Sequence, residues 1–334
     1  MVNGRERFRT LVVVLCVALI AACRPRDVQQ QQRFLAATPT PLSTPLPVVP
    51  TPIPPGAEGN PLWMVVRPID SSGAADTESA AKALTDMIKQ KTSLSVQVVT
   101  VNRYAEALAA LCGSGKGQVA IAWLDGITYA AANAQNCGLP VLQVKRDTKR
   151  EVETGASGQI IVSRTLGTGD IGALNGRTFC RLNVSDFYSW LLPSLVLKTK
   201  GIDVLRDVQS VSDYRDVPAL VKAVASGDCA GAGVSEDVFT QYADQLADVK
   251  DQVRVVDTTP SFPYDILLFP LEVQLGVRLT LTDTLMDIAS NPDTAGSLRT
   301  LLGQDSLSRV QPDDFNDLQK FMSDTGLDFT QLGN

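Results

Sequence analysis

The 334-residue sequence contains no histidine. That removes the Ser-His-Asp triad, the Cys-His pair and the His-ligated catalytic zinc. It also removes the side chain that most often moves protons near neutral pH. Aromatic residues are few, at 6%. Basic residues are outnumbered, 30 against 36 acidic, with a formal net charge of −6 and a pI near 4.9. That balance lacks the clustered basic face that nucleic acid requires, so no nucleic-acid partner is expected. Long apolar runs are also scarce. Residues 11–20 (LVVVLCVALI) form a run of ten, half of the ~20 that a bilayer span needs.

What surrounds that short run gives it a meaning. Arg5, Arg7 and Arg9 precede it; Ala21, Ala22 and Cys23 follow. A positive start, a short apolar core and small residues compose an export signal. Leu19-Ile20-Ala21-Ala22-Cys23 resembles a lipobox, in which Cys23 is lipidated and becomes the new N-terminus. Ile20 stands where Leu is usual. A plain signal peptide with a chance Cys is the competing reading. Residues 24–60 hold nine prolines, the tract Gln29–Gln32 and the repeat TPTPLSTPLPVVPTPIPP. Such a composition cannot build a core and predicts a disordered, semi-rigid tether. At ~3.1 Å per residue it could reach on the order of 100 Å from a membrane. Cleavage before Cys23 would remove three Arg and Glu6, leaving 27 basic and 35 acidic residues. The mature chain would then be soluble, with a net charge of −8.

Six cysteines are present. Cys16 lies in the signal and Cys23 is the lipid site, so Cys112, Cys137, Cys180 and Cys229 remain. Four cysteines in an exported chain suggest two disulfides, with three possible connectivities. Cys112 and Cys137 both follow helical segments of the first half. Cys180 and Cys229 sit at strand-like segments of the second. The expected pairs are therefore Cys112–Cys137 and Cys180–Cys229. Four buried free thiols are the alternative.

From residue 61 onward, strand and helix patterns alternate. Strands are expected at 62–66, 94–101, 119–123 and 140–144, with helices at 77–91, 104–111 and 127–134. These repeats predict a parallel, helix-covered sheet. A second set follows: strands at 158–162, 177–181, 228–234, 252–256 and 263–269, helices at 187–199, 217–225 and 237–246. Everything from residue 271 reads as helical, at 283–289, 293–302 and 314–322, the last two each carrying an Asp suited to cap its start. Two α/β lobes result: 61–155 as lobe one, 156–256 as lobe two, and 257–334 returning to lobe one.

Three motifs carry no chemistry. Gly113-Ser114-Gly115-Lys116-Gly117 lacks the Walker spacing and runs from helix to strand. Gly233-Val234-Ser235-Glu236-Asp237 lacks the final Gly of a nucleophile elbow, and no His exists to activate Ser235. Asp313-Asp314 suits a helix cap better than a cation. With no nucleophile–base pair and no metal cluster, no enzyme, no cofactor and no metal are expected. Carboxylate pairs alone keep acid–base work open.

Three stretches carry a family resemblance. The first is Val119-Ala120-Ile121-Ala122-Trp123-Leu124, with Tyr104 before it and Tyr129 after. The second is Leu174-Asn175-Gly176-Arg177-Thr178-Phe179-Cys180-Arg181, followed by Trp190-Leu191-Leu192-Pro193. The third runs from Ala223-Val224 through Gly227-Asp228-Cys229 to Phe262-Pro263-Tyr264-Asp265. In order and spacing, over residues 61–290, they resemble the phosphate/phosphite/phosphonate class of ABC-transporter substrate-binding proteins. That resemblance implies an α/β, two-lobed, type II-like periplasmic-binding-protein fold. Each lobe would be a helix-covered mixed sheet, with the ligand cleft between. It implies closure on a small-molecule ligand and delivery to an ABC permease, by a monomer outside the cytoplasm.

Residue by residue, the resemblance brings Tyr104, Trp123 and Tyr129 to the cleft side of lobe one. Core packing is the competing role for Trp123. In lobe two the family's Ser-Thr-Ser-Gly stretch, whose hydroxyls and N–H groups hold an oxyanion, is replaced by Asp186-Phe187-Tyr188-Ser189. The family's Ser-His-Asp turn is replaced by Asp216-Val217-Pro218, and its acid after the second Cys by Ala230. Asp237 and Asp265 match retained acidic positions. A carboxylate at an anion site repels the anion. Asp186, Tyr188, Asp237 and Asp265 are therefore expected to suit a cationic or polyhydroxylated ligand, with helix capping as the competing role of the acids. A sensor or scaffold module that has left transport is the alternative function.

Overall fold

The computed structural model describes residues 52–69, 72–115, 117–147, 152–167, 169–304 and 306–331. The expected export signal, Cys23, the tether up to residue 51 and Lys116 lie outside the described residues. Residues 53–60 form a turn held on the fold. Gly56 accepts a hydrogen bond from the Ser95 N–H at 2.8 Å, and the Asn60 side-chain amide donates to the Ile53 carbonyl at 2.8 Å.

Lobe one starts with β1 (Leu62–Val66), α1 (Ala74–Thr92), β2 (Val96–Thr100), α2 (Tyr104–Cys112), β3 (Ala120–Leu124), α3 (Gly126–Ala134) and β4 (Leu139–Asp147). All five residues of β3 are buried, the continuous apolar run that a strand covered on both faces requires. The pleat alternates them between two cores. Met64, Ile121 and Trp123 face α1, whose Ala80, Ala81, Leu84 and Ile88 recur at helical spacing. Val65, Ala120, Ala122 and Leu124 face α2 and α3.

The chain then crosses through β5 (Val152–Glu153) and β6 (Gly155–Ala156) to β7 (Gly158–Ser163) and β8 (Thr178–Arg181). A π-helical turn, Phe187–Leu191, leads into α4 (Leu192–Thr199), β9 (Ser210–Asp213), α5 (Val217–Ser226) and β10 (Gly231–Ser235). Two short helices, α6 (Val238–Gln241) and α7 (Ala243–Leu246), precede β11 (Val253–Thr258). These strands form a five-stranded sheet in the order β11-β7-β10-β8-β9. β8, β9 and β10 run parallel, and β7 is antiparallel to its neighbours. Gly233 lets β10 lie directly against the π-helical turn: a Cβ there would overlap Pro193 and the Tyr188 carbonyl.

The return passes through β12 (Phe262–Pro263), which pairs antiparallel with β6, into β13 (Ile266–Phe269). α8 (Leu275–Ser290), α9 (Gly296–Leu302), β14 (Ser306–Arg309) and α10 (Asn316–Asp324) complete the fold. The lobe-one sheet has seven strands, ordered β14-β4-β13-β3-β1-β2 with β5 paired to β4. α8 and α9 join the Trp123 core, through Leu281, Leu285, Ile288 and Leu298. α10 joins the other one, where Leu318 and Met322 meet Leu192 and Leu195 of α4. That core thus spans the two lobes.

Several sequence expectations change. The lobe-one sheet is not all parallel, because β13 enters antiparallel between β3 and β4. The expected strand 263–269 is two strands, broken at Tyr264 and Asp265 where the chain leaves the crossing for the sheet. β14 lies in a stretch read as helical; four residues are too few to show alternation. The helix expected at 237–246 breaks at Tyr242. Of the two expected Asp caps, Asp293 and Asp314, only Asp314 acts, accepting from the Gln311 N–H at 2.8 Å. Asp283 lies inside α8 and pairs with Arg309. Asp293 precedes α9, whose start has no side-chain cap. The disulfides are Cys112–Cys137 and Cys180–Cys229, with Cα separations of 4.8 and 5.9 Å.

Candidate functional site

In open α/β sheets, ligands sit beyond the carboxyl ends of the strands. In lobe one that edge carries Arg67 after β1, Asp125 after β3, Arg146 near the end of β4, and Tyr104 at the start of α2. Asp265 joins them because β13 runs the other way and begins there, with Ile266 paired to Leu124. The Tyr104 hydroxyl donates to Asp265 at 2.7 Å. Arg67 lies over the Tyr104 ring, 5.4 Å from its centroid. Asp125 caps α3, accepting from the Thr128 N–H at 2.8 Å and its hydroxyl at 2.6 Å.

Burial governs the ionisation of this group. Asp265 is pushed up to about 7, first by burial and then by the nearby Asp125; the Tyr104 hydrogen bond opposes the shift. Burial also raises Asp125, against its bonds from Thr128. Tyr104 is pushed up by burial and by Asp265 and Asp125. It stays a neutral donor.

The lobe-two edge faces a cavity of about 310 Å³, lined among others by Arg146, Asp186, Tyr188, Ser189, Ser235 and Asp237. Asp186 stands at the head of the π-helical turn and accepts the Ser189 N–H at 2.6 Å. Ser189 turns its hydroxyl inward, accepting the Leu182 N–H at 2.9 Å. Asp237 precedes α6 and makes no capping bond with its side chain. Tyr188 is raised by burial, with Asp237, Glu153 and Asp186 adding and Arg146 opposing. The Arg146 guanidinium covers the Tyr264 ring at 3.9 Å. The Tyr264 hydroxyl donates to Glu153 at 3.2 Å and is pushed up to about 12 by burial.

The seven sequence-named residues therefore separate. Tyr104 and Asp265 meet at the lobe-one edge, while Asp186, Tyr188 and Asp237 line the cavity. Trp123 and Tyr129 lie elsewhere, each 1% exposed. Trp123 packs in the lobe-one core with Met64, Leu142 and Leu267. The Tyr129 ring meets Phe315 at 4.6 Å, and its hydroxyl accepts from Gln319 at 3.3 Å. Sequence reasoning passed over Arg67, Asp125, Arg146, Glu153 and Tyr264. The first two were within reach of it, since each directly follows an apolar parallel strand. Arg146 and Glu153 become neighbours only through the β4–β5 register, in which they are paired.

Comparison with known proteins agrees with this architecture. A Xanthomonas citri protein, XAC2383, solved bound to ATP, is 15% identical with a TM-score of 0.56, covering 79% of this chain and 96% of its own. Its chloride-bound form gives 16% identity and a TM-score of 0.55, covering 79% and 97%. The binding-protein component of a Pseudomonas aeruginosa ABC phosphonate transporter is 14% identical with a TM-score of 0.48, covering 82% and 88%. At such identities the first two show the shared fold. No curated protein matches. The profile of the family described as "ABC transporter, phosphonate, periplasmic substrate-binding protein" matches residues 69–315, which include both lobe edges. The chain belongs to the periplasmic phosphonate substrate-binding proteins of ABC transporters, two-lobed proteins that bind a substrate and are not enzymes.

Proposed function

We propose that this protein is the extracytoplasmic solute-binding lipoprotein of an ABC transporter, monomeric and anchored through Cys23, whose inherited oxyanion pocket has been altered. Residues 1–23 would be the lipoprotein signal and 24–60 the tether, of which 53–60 turn onto the fold. Residues 61–155, 156–256 and 257–334 would be lobe one, lobe two and the return. Signal, lipobox and proline-rich spacer support the anchoring. The ligand would be a cationic or polyhydroxylated small molecule, held by Tyr188, Asp186 and Asp237 from lobe two and by Tyr104 and Asp265 from lobe one. Trp123 and Tyr129 would support the cleft from the core beneath it.

One observation carries the altered pocket. The Asp186 carboxylate already occupies the Ser189 N–H, one of the helix-start donors that would otherwise be open to an oxyanion. An incoming anion would have to displace this carboxylate and tolerate its charge, and Asp237 lines the same cavity. Isothermal titration of the purified protein with phosphate, phosphite and methylphosphonate tests the reading. No binding in the micromolar range is expected. Micromolar affinity for any of the three would overturn it.

A further inference from the structure

The cavity acids do not stand alone. Arg146 reaches the same cavity from lobe one, on the ribbon formed by β4 and β5. Among the described residues it forms no ion pair. Its guanidinium is held by the face of Tyr264 and lies beside Glu153 and Tyr188. Stacking fixes the guanidinium plane and leaves its edge donors for an acceptor. Opposite it, on lobe two, Asp237 has no capping duty, Ser235 ends β10, and Tyr188 and Tyr242 present aromatic surface.

We infer that Arg146 anchors the anionic end of the ligand and Asp237 the cationic end, so that the cavity takes a zwitterionic amino-carboxylate bridging the two lobes. This rests on the reading above that the cleft is the ligand site and that its helix-start donors no longer serve an oxyanion; of the ligands named there it keeps the cationic group and adds a carboxylate at the other end. The charges select the class. Asp186, Asp237 and Glu153 outweigh the single Arg146 around the cavity, so a doubly charged anion is repelled. A carboxylate carries one charge and matches the guanidinium fork in plane, with two parallel hydrogen bonds. An amine at the other end meets Asp237 and the tyrosine faces, where cation–π attraction adds to the ion pair. A volume of about 310 Å³ lies at the small end of ligand sites, suited to a molecule of amino-acid size. Because Arg146 belongs to lobe one and Asp237 to lobe two, a ligand with both charges would draw the lobes together. A ligand with one charge would engage one lobe.

Calorimetric titration of the full chain tests this. The probes are the standard amino acids and γ-aminobutyrate, with butyrate and butylamine as one-charge controls of matched skeleton. At least one amino-carboxylate is expected to bind with micromolar affinity, well ahead of both controls. Arg146→Ala should weaken it about 30-fold or more, the usual cost of losing a charged hydrogen-bond partner. Arg146→Lys should restore part of the loss, and Asp237→Asn should weaken binding comparably. Arg146 is solvent-exposed, so an unchanged melting midpoint of the variants checks that the fold is intact. Absence of binding across the panel would overturn the inference. So would an amino-carboxylate affinity that Arg146→Ala leaves within about twofold of wild type. A simple amine or polyol that binds, depends on Asp237 and ignores Arg146 would overturn it while leaving the proposed cleft reading intact. Micromolar binding of methylphosphonate would overturn both.

Discussion

Asp265 is buried at a point where four other chain segments converge, and its carboxyl is pushed up to about 7. In the unfolded chain an Asp titrates near 3.9. Between those values the folded protein holds a proton that the unfolded chain has lost, so stability falls as pH rises through this window. Below it both states are protonated, and above it the full penalty applies. The slope from this one group is at most about 1.4 kcal/mol per pH unit. Asn at 265 can still accept the Tyr104 hydroxyl but cannot ionise. Asp265→Asn should therefore flatten the fall in stability between about pH 4 and about pH 7. Urea midpoints of the two proteins at several pH values provide the measurement, and parallel profiles would refute the assignment. At this scale the sequence was partly legible. Asp265 was visible as a matched acidic position, but its proton is not, because burial and the neighbouring Asp125 exist only after folding.

The two disulfides tie elements of unequal accessibility. Cys112–Cys137 joins the end of α2 to the segment before β4, and both residues are partly exposed. Cys180–Cys229 joins β8 to the segment between α5 and β10, and both residues are fully buried. The bridges span 25 and 49 residues. By chain entropy, loops of that length stabilise by about 3–4 kcal/mol each. A mild reductant under native conditions should open Cys112–Cys137 first, while Cys180–Cys229 yields only when lobe two unfolds. Mass spectrometry with alkylation would follow the order, and simultaneous or inverted opening would count against it. Both pairs could be read from the sequence, because each cysteine lies beside an element recognisable by its own periodicity. The strands β12, β13 and β14 could not be separated in the same way. They are two to four residues long, and their pairing partners lie far along the chain.

For the whole molecule, the proposed anchor sets where the binding domain works. If Cys23 carries the lipid, Cys23→Ala should move the protein from the membrane fraction to the soluble extracytoplasmic fraction. Cell fractionation reads this directly, and continued membrane retention of the variant would rule out Cys23 as the anchor. Net charge is a property of composition, so the sequence by itself determined it, and the proposed signal and spacer rest on composition alone. The two-lobed α/β class followed from local periodicity and from residue stretches similar to the family. Tertiary structure alone decided the rest. It buried Trp123 and Tyr129 in the core, set Asp186 on the Ser189 N–H, and brought Arg146 of lobe one to the same cavity as Asp237 of lobe two. Local pattern follows from nearest-neighbour sterics and burial along one element. A binding site depends on the register and crossing of strands far apart in the chain, where a side chain's surroundings are supplied by residues that no local period connects.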